Sequence, residues 1–187
     1  METLTHTFAA LARILSYPAA EYKHHVAHCR DLCATLRLGN AEARREALSH
    51  LDSFRAAIER LTLEELEELY TQTFDLNPIS SLDLGWHLYG ETYERGKFLV
   101  QMRDLLRRHE IAESTELPDH LTHVLLVVGR MERKEAAELV STRVLKALDK
   151  MLEGFTGKEN PYEHVLTAAK LLLHETYRPT SFQETTL

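Results

Sequence analysis

The first cluster of residues able to do chemistry together is His24, His25, His28, Cys29 and Cys33, all inside the stretch HHVAHCRDLC. On a helix His24 and His28 stand one turn apart, as do His25 and Cys29, and Cys29 and Cys33. Imidazole and thiolate at that spacing can ligate zinc. The same register places Val26, Cys29, Cys33 and Leu36 on one stripe. A cysteine on an apolar stripe behaves as a small buried hydrophobe, and the histidines then fall mostly on the wet face. The expectation is a core helix that holds no metal. A helical metal-binding protein or enzyme using this His/Cys-rich segment is the alternative.

Eleven histidines also raise general acid–base catalysis. That chemistry needs an imidazole held by an orienting group beside a substrate pocket. No nucleophile context, Gly-rich phosphate loop or H-E-x-x-H zinc site accompanies them. No catalytic residue is assigned, and the chain is expected not to be an enzyme.

Two other segments concentrate groups suited to binding. The first, WHLYGETYERG, packs Trp86, His87, Tyr89, Glu91, Tyr93 and Arg95 around Gly90 and Gly96. Both glycines weaken a helix. The segment reads either as a helix start packed by Trp86 and Tyr89, or as a groove wall whose rings bury peptide side chains while Glu91 meets a cation. The second is ELPDH. Pro118 suits the first residue of a helix, where its missing N–H costs nothing. Asp119 would then fall in the first turn, favoured by the positive end of the dipole. This reads either as a capped helix start or as a turn that also offers Glu116, Asp119 and His120 to a ligand. The acidic run LTLEELEELY, ending at Tyr70, is expected to be a solvated helix face with Leu63, Leu66 and Leu69 inward.

The elements that must carry these segments are helical. Apolar residues recur at three- and four-residue spacing along nearly the whole chain. Leu4, Phe8, Leu11, Ile14 and Leu15 form a first stripe, which stops near Tyr17 because Pro18 disfavours helix in the residue before it. A second helix is expected over 20–38, with Gly39 left-handed behind it. Asn40 caps a third over 41–60, with Ala47, Leu48, Leu51, Phe54 and Ile58 inward. Thr62 and Glu65 form a capping box that opens a fourth helix through Glu68 and Tyr70. The stretch 75–83 reads as a loop, and a fifth helix covers 93–110. Pro118 opens another, 132–153 continues the pattern to Gly154, and Asn160-Pro161-Tyr162-Glu163 opens a last helix ending by Arg178–Pro179. HVLLVVG is the nearest approach to a strand, and its neighbours favour helix. The expected architecture is a single all-α domain over residues 1–187, a bundle of about seven or eight helices.

Composition narrows the function. With 44% hydrophobic and 27% charged residues the chain is ordinary globular protein. A net charge of −7 argues against a nucleic-acid footprint, which needs a clustered basic face. There is no uninterrupted apolar run of about 18 residues to span a membrane, and the start of the chain has no signal-peptide pattern. The cytoplasm is the expected location. Two cysteines make no disulfide framework.

Several pieces, in order, resemble the NarJ/TorD/DmsD family of redox-enzyme maturation chaperones, most closely its NarJ branch. Leu15, Tyr17 and Pro18 match L-x-YP. Tyr70, Phe74 and Asp75 match Y-x-x-x-F-D. His87, Tyr89, Gly90, Glu91, Arg95 and Gly96 match H-x-[FY]-GE-x-x-x-RG, and Glu116, Leu117, Pro118, Asp119 and His120 match the family-specific E-x-PDH. The resemblance implies an all-helical cytoplasmic chaperone that carries no cofactor of its own. It would bind the N-terminal segment of an apo molybdenum reductase catalytic subunit, of nitrate reductase or a dimethyl-sulfoxide-reductase-type relative, until the cofactor is inserted. It implies a peptide-binding site among Tyr70, Phe74, Asp75, Trp86, His87, Tyr89, Gly90, Glu91, Arg95, Glu116, Pro118, Asp119 and His120. A monomer or weak dimer, with no nucleic-acid partner and no membrane insertion, completes the expectation.

Overall fold

The early stop of the first helix organises the middle of the molecule. In the computed structural model, which describes residues 2–178, α1 (Glu2–Ile14) buries Phe8, Leu11 and Ile14 and ends four residues before Pro18. Its last carbonyls have no helical partner. Two tyrosines supply them: the Tyr22 hydroxyl donates to Ile14 O at 2.5 Å, and the Tyr70 hydroxyl donates to Leu15 O at 3.1 Å.

Helix α2 (Tyr22–Thr35) is shorter than expected, because Leu36 turns extended and buries its side chain. Gly39 lies beyond that stop and has no positive φ, so it is not the left-handed cap the sequence suggests. Helix α3 (Ala41–Ile58) starts as expected, with Asn40 accepting from Glu42 N and Ala43 N. Helix α4 (Leu63–Tyr70) opens on the Thr62–Glu65 capping box, both bonds of which are made.

Two π turns depart from the regular helical period. One, Thr71–Asp75, prolongs α4. The other, Val140–Val144, joins α8 (Arg133–Leu139) to α9 (Leu145–Glu153) in one helical rod. In each a threonine hydroxyl donates to the carbonyl four residues back: Thr73 to Leu69 O and Thr142 to Glu138 O. Such back-bonding competes with the regular ladder. The remaining helices are α5 (Leu84–Tyr89), α6 (Tyr93–Arg108), α7 (Leu121–Val128) and α10 (Tyr162–Tyr177). Helix α10 opens with Asn160 Oδ1 accepting from Tyr162 N at 3.0 Å, and Pro179 lies outside the described residues.

Among the described residues no strand forms, so the all-α expectation holds, and HVLLVVG is helical. Among the described residues the helices number nine when each π turn is taken with the helix it continues; the short α5 supplies the excess over the sequence count. Helix α10 packs most extensively on α3, and α1 lies between α2 and α7. At the centre the Tyr162 ring meets Phe54, Tyr70 and Phe74, with centroids 5.2, 5.9 and 4.8 Å away.

Candidate functional site

The π turn after α4 sets one side of the candidate surface. It sends Phe74 into the core and leaves Asp75 exposed, with the next residue, Leu76, 73% exposed. Tyr70, one residue before the turn, is buried. Its ring takes the edge of Tyr17, at 5.4 Å between centroids, while Tyr17 itself remains about half exposed.

ELPDH forms the other side, and here the structure departs from the sequence. Pro118 and Asp119 form a turn, and α7 begins only at Leu121, with His120 as its N-cap residue. Asp119 is therefore not in the first turn of that helix. An isolated antiparallel bridge pairs His120 with Asp83: Leu84 N donates to Asp119 O at 3.1 Å, and Leu121 N donates to Leu82 O at 2.8 Å. The Asp119 carboxylate, fully buried, accepts from Gly85 N at 2.7 Å. It serves α5, a helix distant in sequence, because pairing the chain beside Asp83 points the side chain at the open N-terminus of α5.

His120 is also turned inward, 6% exposed, with Nδ1 2.7 Å from Thr122 Oγ1 and Nε2 4.0 Å from Glu116 Oε2. Burial, then the nearby His123, pulls its pKa down to about 4. His123 Nδ1–H donates to Leu117 O at 2.9 Å, and its Nε2 accepts from Ser114 N at 3.3 Å. These bonds fold the 114–120 segment so that Glu116 and Leu117 stand outward while Pro118, Asp119 and His120 support them from within.

WHLYGETYERG behaves largely as a packed helix start. Trp86 Nε1 donates to Pro78 O at 2.9 Å, and His87 Nε2–H donates to Ser81 O at 2.7 Å. Arg95 reaches Asp83 at 3.4 Å and lies over the Trp86 ring. The Tyr89 hydroxyl accepts from Arg143 Nε at 3.2 Å. Gly90 takes φ 60°, which a residue with a side chain rarely adopts. Glu91 is exposed. A side chain at Gly96 would meet open space, and nothing in the structure explains a glycine there.

The electrostatics of the surface are acidic. Burial raises the carboxyl pKa values of Asp75, Asp83 and Glu116, and the charges on Asp75 and Asp83 push Glu116 further in the same direction. Arg95 partly offsets the rise at Asp83 and at the buried Asp119. The outer face thus combines the carboxylates of Asp75 and Glu116 with the exposed apolar side chains of Tyr17, Leu76 and Leu117. Of the sequence candidates, Asp75, Glu91 and Glu116 are exposed, and Trp86, His87, Tyr89, Gly90 and Arg95 are half-buried. Tyr70, Phe74, Pro118, Asp119 and His120 are buried. Sequence reasoning overlooked Asp83 and Leu76. Asp83 carries no motif of its own, and the exposure of Leu76 depends on the π turn.

The His/Cys helix presents no comparable site. Cys29 and Cys33 are fully buried free thiols, and a hydrogen bond to the Cys33 sulfur, then burial, raises the Cys29 thiol well above its ordinary value. Among the described residues no group of three or more histidine, cysteine or carboxylate side chains converges on a metal position. Among the same residues no helix is long and apolar enough to cross a membrane.

Comparison with known proteins gives the family of the chain. The model of the family described as "Nitrate reductase delta subunit" matches residues 38–168, more than half of the chain. The chain belongs to the nitrate reductase delta subunit family. Two curated relatives illustrate its reach. A protein of Bacillus subtilis (strain 168) named "Probable nitrate reductase molybdenum cofactor assembly chaperone NarJ" is 29% identical over 167 residues, 87% of this chain and 87% of that protein. "Nitrate reductase molybdenum cofactor assembly chaperone NarJ" of Escherichia coli (strain K12) is 28% identical over 130 residues, 68% of this chain. That match spans about half the length of the Escherichia coli relative, 53%. The family match takes in Y-x-x-x-F-D, WHLYGETYERG and ELPDH but leaves out Tyr17.

Proposed function

We propose that the chain is a non-enzymatic assembly chaperone for a nitrate reductase. It binds the N-terminal segment of the apo catalytic subunit in the cytoplasm and holds it until the molybdenum cofactor is in place. Membership of the delta subunit family and similarity to proteins named as molybdenum cofactor assembly chaperones support the chaperone role. The observation that carries the choice of surface is the juxtaposition of Asp75 and Glu116 with Tyr17, Leu76 and Leu117. An amphipathic segment can lay apolar side chains over those three and meet the carboxylates with lysine or arginine. The buried motif residues Tyr70, Phe74, Pro118, Asp119 and His120 hold that surface in shape. Trp86, His87 and Arg95 tie the 76–83 segment to it.

The test is calorimetric titration of a peptide from the client's N-terminus into wild type, Asp75→Asn/Glu116→Gln and Leu76→Ser/Leu117→Ser. All four positions are exposed, so the variants should melt like wild type. Each double variant should bind about tenfold or more weakly, as the loss of hot-spot contacts implies. The affinity of wild type should fall with added salt, and that of the amide variant should fall much less. Wild-type affinity in both variants would move the binding surface elsewhere on the protein.

A further inference from the structure

A separate cavity lies at the opposite end of α1, roughly 20 Å along that 13-residue helix from Tyr17. It has a volume of about 350 Å³ and is walled by Thr3 and Leu4 in the first turn of α1 and by residues 35–39 between α2 and α3. Arg133 at the start of α8 and the end of α10 close it. Three arginines are among its lining residues, Arg37, Arg133 and Arg178. Arg178 is already matched: its Nη1 is 3.4 Å from Glu175 Oε2. Among the described residues Arg37 and Arg133 have no ion-pair partner, so the cavity carries a surplus of positive charge.

A second observation points the same way. Thr176 lines the cavity and is 4% exposed, yet its hydroxyl has no hydrogen-bond partner. Thr7, Thr73 and Thr142 in this chain all donate to the carbonyl four residues back. A buried hydroxyl without a partner is unfavourable unless something else fills that role. The N–H groups of Thr3 and Leu4 lie in the first turn of α1, where no intrahelical acceptor reaches them and the helix end is positive.

We propose that this cavity binds the phosphate of a small molecule, a phosphate monoester or diphosphate. Arg37 and Arg133 clamp the phosphate oxygens, the Thr176 hydroxyl donates to one of them, and the α1 N-terminus adds its positive end. Glu175 Oε2 has no hydrogen-bond partner, but it lies 3.4 Å from Arg178 Nη1, so its charge is offset by that arginine and leaves Arg37 and Arg133 to the anion. A lone phosphate leaves most of the volume empty, and Leu4 with Leu36 and Leu38 offers an apolar wall to the rest of the ligand.

The experiment is calorimetric titration of inorganic pyrophosphate and inorganic phosphate into the full chain. Wild type should bind pyrophosphate more tightly than phosphate. Arg37→Ala/Arg133→Ala should bind about tenfold or more weakly, and Thr176→Val, close in volume, should bind several-fold more weakly with its melting temperature kept. Arg45→Ala/Arg55→Ala removes the same charge from the exposed face of α3 and should bind like wild type. Absence of pyrophosphate binding by wild type overturns the proposal. So does equal binding by the Arg37/Arg133 variant, or equal loss in the Arg45/Arg55 variant. The client peptide should bind the Arg37/Arg133 variant as it binds wild type; a matching loss there would reassign the arginines to the peptide and overturn the phosphate site.

Discussion

The Asp119 carboxylate accepts a hydrogen bond from Gly85 N at 2.7 Å and so caps a helix that begins 35 residues earlier in the chain, at Leu84. The contact leaves no room for a side chain on Gly85: a Cβ there would come within 2.6 Å of Asp119 Oδ2 and 3.2 Å of Phe98 Cδ1. Glycine is required at this position by the carboxylate opposite it, not by its backbone angles.

Gly85→Ala should therefore destabilise the fold, because the new methyl group displaces the carboxylate and opens the bond to the α5 N-terminus. A loss of about 1–3 kcal/mol is expected in chemical denaturation. Asp119→Ala should lose a similar amount by leaving Gly85 N unsatisfied. The double variant should lose less than the sum, since each change removes the same bond. Additive losses would mean that the two residues act independently.

Tyr70→Phe keeps the ring that packs on Tyr17, Phe74 and Tyr162 but removes the hydroxyl that donates to Leu15 O. A buried carbonyl at the end of α1 is then left without a donor. The expected loss is about 1–2 kcal/mol with a native circular dichroism spectrum. Unchanged stability would show that water reaches Leu15 O.

Acid should weaken the fold through His120. Its folded pKa, about 4, lies below the ordinary histidine value near 6.5, so the folded state binds the proton less readily than the unfolded chain. Its contribution is present above pH 6.5 and is lost as pH falls from there toward 4. Roughly 2 kcal/mol should be gone by pH 5. His87 and His50, both lowered by burial, act in the same direction, and for His50 the adjacent His164 adds to the effect. The raised carboxyls of Asp83, Asp119 and Glu116 act oppositely, adding stability as pH falls from their raised values toward the ordinary carboxylate range. His120→Asn can keep a contact to Thr122, and it should show a smaller stability loss between pH 7 and pH 5 than wild type. Parallel losses would remove His120 as a source.

The His/Cys helix should be chemically silent. With both sulfurs buried, a thiol reagent should modify Cys29 and Cys33 only on unfolding, and dialysis against a chelator should leave the melting temperature unchanged. Stoichiometric zinc in the purified protein would favour the metal-binding alternative.

What the sequence by itself determined about this protein is the local chemistry. The Asn40 cap, the Thr62–Glu65 box and the Asn160 helix start form where the residues require them, while α1 stops at Ile14, three residues short of the expected Tyr17. Each rests on contacts within a few residues, and short-range rules suffice. The stripe through Val26, Cys29 and Cys33 was legible for the same reason, since helical periodicity alone selects its buried face. Only the tertiary structure decided the site. Nothing near Pro118 indicates that Asp119 serves α5, because its partner Gly85 is brought to it by a two-bond bridge at Asp83 and His120. The exposure of Leu76 and Asp75 depends on a π turn that simple periodicity does not announce. The composition of the acidic–apolar face follows from which segments meet, and pairing between distant segments is set by core packing rather than by spacing along the chain.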